Sequence, residues 1–315
     1  MTTALIFPGQ GAQKIGMGAE LSAAFPEARE VFQCVDDALG QKLSKLIFSG
    51  DQSDLDLTAN TQPAIMATSL AVWAVLRRQG NFDFADFSFA AGHSLGEYSA
   101  LATVETFTLP DAARLLRTRG EAMQTAVPVG MGAMAALLGV DLEPALDICL
   151  EAQKDQIVTV ANDNSVGQIV ISGHREAVER AIAIAGERGI KRTIMLPVSA
   201  PFHCPLMAPA ALVMETALAK VDMRVPQLPL VANVTADVVA DPQAIRTRLV
   251  EQVTGMVRWR QSVERLASKG VDAMLELGPG KTLAGLTKRI TPDVVVHSLA
   301  TPADIDTYLS ARTAA

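Results

Sequence analysis

The segment Gly92-His93-Ser94-Leu95-Gly96 constrains the fold of this chain more than any other feature. It has the pattern G-x-S-x-G, follows the short apolar run Phe87–Ala91 and precedes a helical pattern that begins at Glu97. This context predicts a strand, a sharp turn and a helix, with glycines that relieve the crowding around a strained serine. The helix start would direct backbone N–H groups towards an oxyanion. The pattern therefore indicates an α/β fold with a nucleophilic Ser94, and a capped helix start with a structural serine is the alternative.

Other apolar runs extend the α/β prediction along the chain. The run Ala4–Phe7 is typical of a buried strand that ends at Pro8-Gly9, and strands are also predicted at Leu228–Asn233 and Ala273–Leu277. Hydrophobic residues make up 49% of the chain and charged residues 19%, which suits a buried parallel sheet covered by helices. Helices are predicted over Val31–Leu39, Gln62–Gln79 and Pro110–Thr125, after Gly280, and in the Ala-rich tail after Thr301.

The segment between residues 130 and 198 has a different rhythm. Its order of elements is β-α-β-β-α-β, which is the split βαβ arrangement of a ferredoxin-like module. We therefore predict an α/β fold with a hydrolase-like parallel-sheet main domain, formed by residues 1–128 and 199–315, and an inserted ferredoxin-like small domain, formed by residues 129–198. The predicted strands are the GAMAALLGV run, Ile157–Ala161, Gln168–Ser172 and Thr193–Val198, and the predicted helices are Leu142–Ala152 and His174–Arg188.

Charge and cysteine content exclude several classes of protein. The formal net charge is −7, so no global field attracts nucleic acid or an anionic membrane. Cys34, Cys149 and Cys204 form no CxxC pair and no even framework, which favours reduced thiols in a cytoplasm. No signal peptide and no apolar run of roughly 20 residues is visible. The four histidines are dispersed, so no metal site is expected.

A nucleophilic serine needs a base, because its hydroxyl is a poor nucleophile at neutral pH. His203 lies in the non-helical segment Ser199–Cys204, and a loop that returns to the main domain is a natural carrier for a base. A packed loop histidine is an equally good interpretation of the spacing alone. His93 is expected to point away from the serine, His174 to cap a helix, and His297 to end a late strand.

Two glycine-rich turns resemble nucleotide-binding loops only in part. The segment Gly278–Thr282 lacks the first glycine of a phosphate loop, because Leu275 stands in its place. The Gly9-Gln10-Gly11 turn has Lys14 where a dinucleotide fingerprint needs its third glycine. Both turns are therefore predicted to be structural turns or part of an oxyanion site.

Taken together, the motifs of nearly the whole chain resemble those of the malonyl-CoA:acyl-carrier-protein transacylase family of bacterial fatty acid synthesis. They occur in one order, which makes the resemblance specific. They are FPGQGAQ near the start, TQPA at Thr61–Ala64, GHSLGEYSAL at Gly92–Leu101, RG at Arg119-Gly120, GAMAA at Gly132–Ala136, GHREAVERA at Gly173–Ala181, LPVSAPFHC at Leu196–Cys204 and ELGPGKTLAGLTKR at Glu276–Arg289.

The resemblance implies a role for each residue of the reacting centre. Ser94 would carry the acyl group, and His203 would be the base. The backbone carbonyl of Gln252 would orient this histidine in place of a carboxylate. The backbone N–H groups of Gln10 and Leu95 would bind the oxyanion.

The resemblance also implies two substrate-binding residues. Arg119 would pair with the free malonyl carboxylate, a task that suits its planar, bidentate guanidinium. Asn162 would approach the acyl group from the small domain, and Asn164 is the competing alignment. The chain departs from the family pattern at Phe202, where some members have serine, and at Gly255-Met256, which replaces a frequent Ser-Pro.

The function implied by the resemblance is ping-pong transfer of malonyl from coenzyme A to the phosphopantetheine thiol of acyl carrier protein, in fatty acid biosynthesis. The coenzyme A thioester would be a substrate, and no cofactor is expected; a cytoplasmic monomer is the expected state. A polyketide-synthase or malonate-decarboxylase malonyltransferase is the alternative within this chemistry. A serine hydrolase would place its histidine late in the chain, which would favour His297. A catalytically silent carrier-binding protein is disfavoured, because Ser94, His203 and Arg119 are all present.

Overall fold

The first strand, Thr3–Phe7 (β1), lies inside a six-stranded sheet in the computed structural model, which describes residues 2–198 and 200–313. Ser199, at a predicted domain boundary, and Ala314-Ala315, at the end of the predicted tail, lie outside the described residues. The order of the sheet is β10-β9-β1-β2-β7-β8. Its other strands are Phe89–Gly92 (β2), Leu230–Val231 (β7), Val238–Val239 (β8), Ala273–Leu277 (β9) and Val295–Leu299 (β10).

Both neighbours of β1 run parallel to it, and Leu5 lies opposite Ala90 on one side and Leu275 on the other. Only β8 runs antiparallel to its neighbour. Leu5 and Phe7 pack into the hydrophobic cluster on one face of the sheet, and Ala4 and Ile6 pack into the cluster on the other. A parallel sheet covered on both faces explains why these strands are continuous apolar runs in the sequence. The carboxyl ends of β1, β2, β7 and β9 therefore meet at one edge.

Fourteen helices are found in the described residues, and none of them is long and apolar enough to cross a membrane. The segments that were predicted to be helical are helical, with ends displaced by a few residues. The helices are Ala19–Ala24 (α1), Pro26–Leu39 (α2), Leu43–Ser49 (α3), Gln52–Leu55 (α4), Thr58–Gln79 (α5), Leu95–Thr103 (α6), Leu109–Thr125 (α7), Leu142–Gln153 (α8), Arg175–Glu187 (α9), Ala208–Leu218 (α10), Pro242–Thr254 (α11), Trp259–Ser268 (α12), Thr282–Ile290 (α13) and Pro302–Thr313 (α14).

A second, antiparallel sheet lies between α7 and α10 in the sequence, and its order is β4-β5-β3-β6. Together with α8 and α9 its strands follow the predicted order β-α-β-β-α-β. The ferredoxin-like classification and the boundaries 1–128, 129–198 and 199–315 stay predictions. The strands are Gly132–Leu138 (β3), Val158–Ser165 (β4), Gln168–His174 (β5) and Arg192–Met195 (β6).

Three contacts join β4 to the main body of the protein. The N–H of Asp163 donates to the carbonyl of Val257 at 3.0 Å, and the N–H of Val257 donates to the carbonyl of Ala161 at 2.9 Å. The buried Asp163 carboxylate also pairs with Arg260 Nε at 3.0 Å. These contacts hold the end of β4, with Asn162 and Asn164, close to the carboxyl edge of the parallel sheet.

Several predicted strand ends were wrong; the strand predicted at Ile157–Ala161, for example, continues to Ser165. The strand predicted at Leu228–Asn233 contains only Leu230–Val231, because Asn233 leaves the sheet to bind the turn after β2. His297 lies in the middle of β10 and not at its end. β6 ends at Met195, so Leu196–Val198 is free to line the cleft described below.

Candidate active site

Ser94 occupies a strained turn between β2 and α6. Its backbone has φ 53° and ψ −112°, in the positive-φ region that residues with a side chain rarely adopt. A Cβ atom on Gly92 would lie 1.9 Å from the carbonyl oxygen of Gly96, and one on Gly96 would lie 2.2 Å from that of Phe7. Both glycines of the pattern are therefore required by close approach of the backbone.

The side chain of Asn233 holds this turn from both sides. Its Nδ2 donates to the carbonyl of Gly92 at 2.6 Å, and its Oδ1 accepts the N–H of Ser94 at 2.7 Å. One buried amide thus satisfies backbone groups on either side of His93, which stabilises the strained conformation of the serine. Asn233 is not among the site residues predicted from the sequence; its position directly after an apolar run was the available signal.

Ser94 Oγ and His203 Nε2 are 2.8 Å apart, and His203 Nδ1 lies 2.9 Å from the carbonyl oxygen of Gln252. Because a carbonyl only accepts, Nδ1 carries the proton, and the lone pair of Nε2 faces the serine hydroxyl. Burial, with a smaller contribution from Arg119, lowers the pKa of His203 to about 3. The imidazole is therefore neutral at physiological pH and able to accept a proton.

The other three histidines are held elsewhere. His93 lines the same cleft, but its Nε2 lies 2.8 Å from Asn164 Oδ1. His174 Nδ1 accepts the N–H of Ile157, and the ring of His297 lies 5.2 Å from that of Tyr308. Among the described residues, His203 is thus the histidine that contacts Ser94.

Arg119, on α7, is buried beside the serine with only neutral hydrogen-bond acceptors. Its Nη1 donates to Gln62 Oε1 at 2.9 Å, and its Nη2 donates to Gln252 Oε1 at 2.8 Å and to Ser94 Oγ at 3.2 Å. No ion pair of the described residues includes it, and its Nε has no partner among them. A buried guanidinium without an anion is a costly arrangement, so the site is prepared for a negatively charged group.

Gln252 connects the serine, the histidine and the arginine. Besides its two contacts above, its Nε2 donates to the carbonyl of Ser94 at 3.0 Å and to Glu97 Oε2 at 2.9 Å. Glu97 is fully buried, and its Oε2 also accepts the N–H of Asn233 at 3.1 Å. Neither Glu97 nor Gln62 is among the site residues predicted from the sequence, although both lie within motifs on which the family resemblance rests.

A cleft of about 390 Å³ opens above these groups, between the parallel and the antiparallel sheet. Gln10 and Asn162, two of the predicted site residues, line it, and so does Asn164. The N–H groups of Gln10 and Leu95 have no hydrogen-bond partner within residues 2–198 and 200–313, so both are available to a ligand. The same described residues contain no cluster of acidic, histidine or cysteine side chains that could hold a metal ion.

A buried carboxylate lies behind the second glycine-rich turn, between β9 and α13. The carboxylate of Glu276 accepts the N–H of Leu283 at 2.9 Å, the N–H of Ala284 at 3.0 Å and the hydroxyl of Ser298 at 2.7 Å. Two N–H groups at the start of α13, which could otherwise bind an anion, are therefore bonded to a carboxylate of the chain itself. This geometry agrees with the interpretation of the turn as structural.

Comparisons with known proteins agree in both sequence and structure. A family model described as an acyl transferase domain matches residues 4–302. The malonyl CoA-acyl carrier protein transacylase of Salmonella typhimurium is 44% identical over 307 residues, covering 98% of each chain, and that of Bacillus subtilis is 43% identical over 304 residues, covering 96% of this chain and 95% of the other.

Solved structures match over almost the whole chain. The acyl-carrier-protein-S-malonyltransferase of Bartonella henselae superposes with a TM-score of 0.96 at 50% identity and covers 99% of both chains. A malonyl-transacylase in complex with a type II PKS acyl-carrier protein superposes with a TM-score of 0.95 at 42% identity, covering 99% of this chain and 100% of the other.

Proposed function

The chain belongs to the acyl transferase domain family, and from this premise we propose that it moves a malonyl group from coenzyme A to the phosphopantetheine thiol of an acyl carrier protein through an ester on Ser94. The observation that carries the proposal is the pairing of two features at one hydroxyl. Ser94 Oγ contacts the neutral imidazole of His203 at 2.8 Å and the buried guanidinium of Arg119 at 3.2 Å. The first feature supports nucleophilic attack, and the second supports an acyl group that ends in a carboxylate.

In the first half-reaction, His203 Nε2 accepts the proton of Ser94 as Oγ attacks the thioester carbon. The backbone carbonyl of Gln252, 2.9 Å from Nδ1, stabilises the imidazolium that forms. The free N–H groups of Gln10 and Leu95 are the proposed donors to the oxyanion. When the tetrahedral intermediate collapses, the C–S bond breaks and His203 returns the proton to the departing coenzyme A thiolate.

In the second half-reaction, the carrier thiol gives its proton to His203 and attacks the ester carbon. The C–O bond to Ser94 breaks, and His203 returns the proton to the serine oxygen. Each half-reaction is neutral in protons, so no other acid or base is required. Arg119 binds the malonyl carboxylate throughout, and Asn162 contacts the acyl group from the antiparallel sheet.

The relatives support the choice of substrates and carrier. The full-length relatives from Salmonella typhimurium and Bartonella henselae are named for malonyl transfer to acyl carrier protein, and one solved relative is bound to a polyketide carrier. The proposed carrier is that of fatty acid synthesis, and a polyketide carrier is the second candidate. We further propose a cytoplasmic monomer that uses coenzyme A thioesters as substrates and needs no cofactor.

Substitution of Arg119 tests the proposed function. Arg119→Ala should lower kcat/KM for malonyl transfer at least about a hundredfold, roughly 2.7 kcal/mol, and should spare or improve acetyl transfer. Arg119→Lys should restore part of the loss, because an ammonium cannot make the bidentate contact.

The matched control is Arg117→Ala, on the same helix. Arg117 bonds Asn60 and Gln41 and not the serine, so both activities should stay near those of the wild type. Equal losses of malonyl and acetyl transfer in Arg119→Ala would show that Arg119 supports the fold and does not recognise the carboxylate.

A further inference from the structure

A single side-chain amide connects the buried cation of the site to a buried carboxyl group. Gln252 Oε1 accepts from Arg119 at 2.8 Å, and Gln252 Nε2 donates to Glu97 Oε2 at 2.9 Å. Arg119 is 1% exposed, Glu97 is 1% exposed and Gln252 is fully buried, so water does not screen the interaction between the two charged groups.

The orientation of this connecting amide is determined by its neighbours. A guanidinium only donates hydrogen bonds, and an ionised carboxylate only accepts them. The oxygen of Gln252 must therefore face Arg119 and its nitrogen must face Glu97. The negative charge of Glu97 thus acts on Arg119 through a polarised group, in the absence of any directly bonded anion.

Within the described part of the chain, only one of the two carboxylate oxygens of Glu97 has hydrogen-bond partners. Its Oε2 accepts from Gln252 and from the N–H of Asn233, but its Oε1 is buried without a partner among the described residues. Besides Arg119, the nearby titratable groups are Tyr98 on the same helix and, on the far side of Gln252, His203. Burial, opposed by these hydrogen bonds and by Arg119, raises the pKa of the Glu97 carboxyl to about 7.

A malonyl carboxylate bound at Arg119 would place a second anion beside the same buried cation. The malonyl carboxylate and ionised Glu97 repel each other, so the guanidinium of Arg119 stabilises each of them less when the other is ionised. Protonation of Glu97 removes this competition without moving a side chain, because its unpartnered Oε1 can carry the proton. An acetyl group has no carboxylate and therefore leaves the ionisation of Glu97 unchanged.

We propose that Glu97 determines specificity in this site: when ionised, it competes with the malonyl carboxylate for Arg119, so that binding of malonyl favours protonation of Glu97 by solvent. The inference rests on the proposed function, because it needs malonyl to reach Arg119. It gives Glu97 a role in the choice between acyl groups although it touches neither the acyl group nor the serine hydroxyl.

The test is the ratio of kcat/KM for malonyl-CoA to that for acetyl-CoA between pH 6 and pH 8.5. Titration of any group that acts equally on both substrates cancels in the ratio. If the second anion raises the pKa of Glu97 by about one unit, the wild-type ratio should fall about five- to tenfold across this range. In Glu97→Gln, which keeps the shape and the hydrogen-bond acceptor for Gln252, the ratio should be independent of pH.

Glu276→Gln is the matched control, because it removes another buried carboxylate far from Arg119. It should keep the pH dependence of the wild type. A flat wild-type ratio, or a Glu97→Gln ratio with the wild-type slope, would overturn the proposal.

A second measurement needs no variant and therefore remains decisive if Glu97→Gln does not fold. Wild-type protein mixed with malonyl-CoA at pH 7 in a weak buffer with an indicator dye should take up about 0.4 proton per malonyl ester, in excess of the value for acetyl-CoA. Ester formation is followed in the same samples by intact-protein mass. Absence of the ester contradicts the proposed function, whereas an ester without excess proton uptake contradicts only the role of Glu97.

Discussion

Two strand–turn–helix units flank β1 in the parallel sheet, and their buried glutamates bind different partners. In β2–α6 and in β9–α13 alike, a glycine-rich turn at the carboxyl edge is followed by a helix, and each unit contains one buried glutamate. Glu276 lies on the strand and accepts the N–H groups of Leu283 and Ala284, the second and third residues of α13. Glu97 lies within α6 and leaves the N–H of Leu95 free. One carboxylate therefore stabilises the start of the helix in its own unit, whereas the other binds side-chain and backbone groups of distant segments.

The residues that precede the two helices differ in backbone conformation. Lys281 precedes α13 with φ −141° and ψ 28°, on the negative-φ side, whereas Ser94 precedes α6 with φ 53°. The strained conformation at Ser94 is held by Asn233, and its hydroxyl faces His203. The comparison teaches that the reactive turn needs support from distant segments that the structural turn does not have.

The largest expected effect comes from the two histidines next to these units. His203 contacts the serine, whereas His297 lies opposite Leu275 of β9. His203→Ala should lower malonyl transfer at least about a thousandfold, because the serine loses its base. His297→Ala should leave transfer near wild type. Steady-state transfer assays decide this, and loss of activity in His297→Ala with activity retained in His203→Ala would reverse the assignment.

A smaller effect should distinguish the two glutamates. In Glu276 both oxygens accept hydrogen bonds, so Glu276→Gln brings an amide N–H against a backbone N–H and should lower the free energy of unfolding by about 1–3 kcal/mol. In Glu97 only Oε2 has partners, so the amide of Glu97→Gln fits without this conflict. Urea denaturation of both variants measures the difference.

The pH dependence of stability sharpens this contrast. The pKa of Glu97 is higher in the folded protein, at about 7, than its ordinary value of 4.5, so the wild type loses stability as the pH rises through this interval. Glu97→Gln has no such loss. It should be close to the wild type at pH 5 and more stable at pH 8, by up to about 3 kcal/mol. A loss at pH 8 as large as that of Glu276→Gln would contradict the difference between the two units.

The local features of the site could be predicted from the sequence. The apolar run before Gly92 and the helical pattern after it are contiguous, so the strand, the turn and the position of Ser94 follow from short-range patterns. The location of His203 in a loop left catalysis and simple packing equally open, and its contact with Ser94 favours catalysis, which stays a prediction.

The supporting contacts could not be predicted in the same way. Gln252 is 158 residues from Ser94, and Asn233 is 139 residues from it, so no periodicity relates them. Their polar side chains follow or lie within ordinary apolar patterns, and only the fold brings them together. β7 is shorter than predicted for the same reason, because the side chain of Asn233 binds the turn after β2 and Asn233 does not continue the strand.

The most direct test of the central claim is the covalent adduct formed when the protein is mixed with malonyl-CoA in the absence of a carrier. Intact-protein mass followed by peptide mapping should find one malonyl group on Ser94, and Ser94→Ala should carry none. Cys204 follows the base in sequence, but burial raises the pKa of its thiol, and its Sγ donates to the carbonyl of Pro201 at 3.1 Å. A malonyl group on Cys204, or no adduct on the wild type, would contradict acyl transfer through the serine of the strained turn.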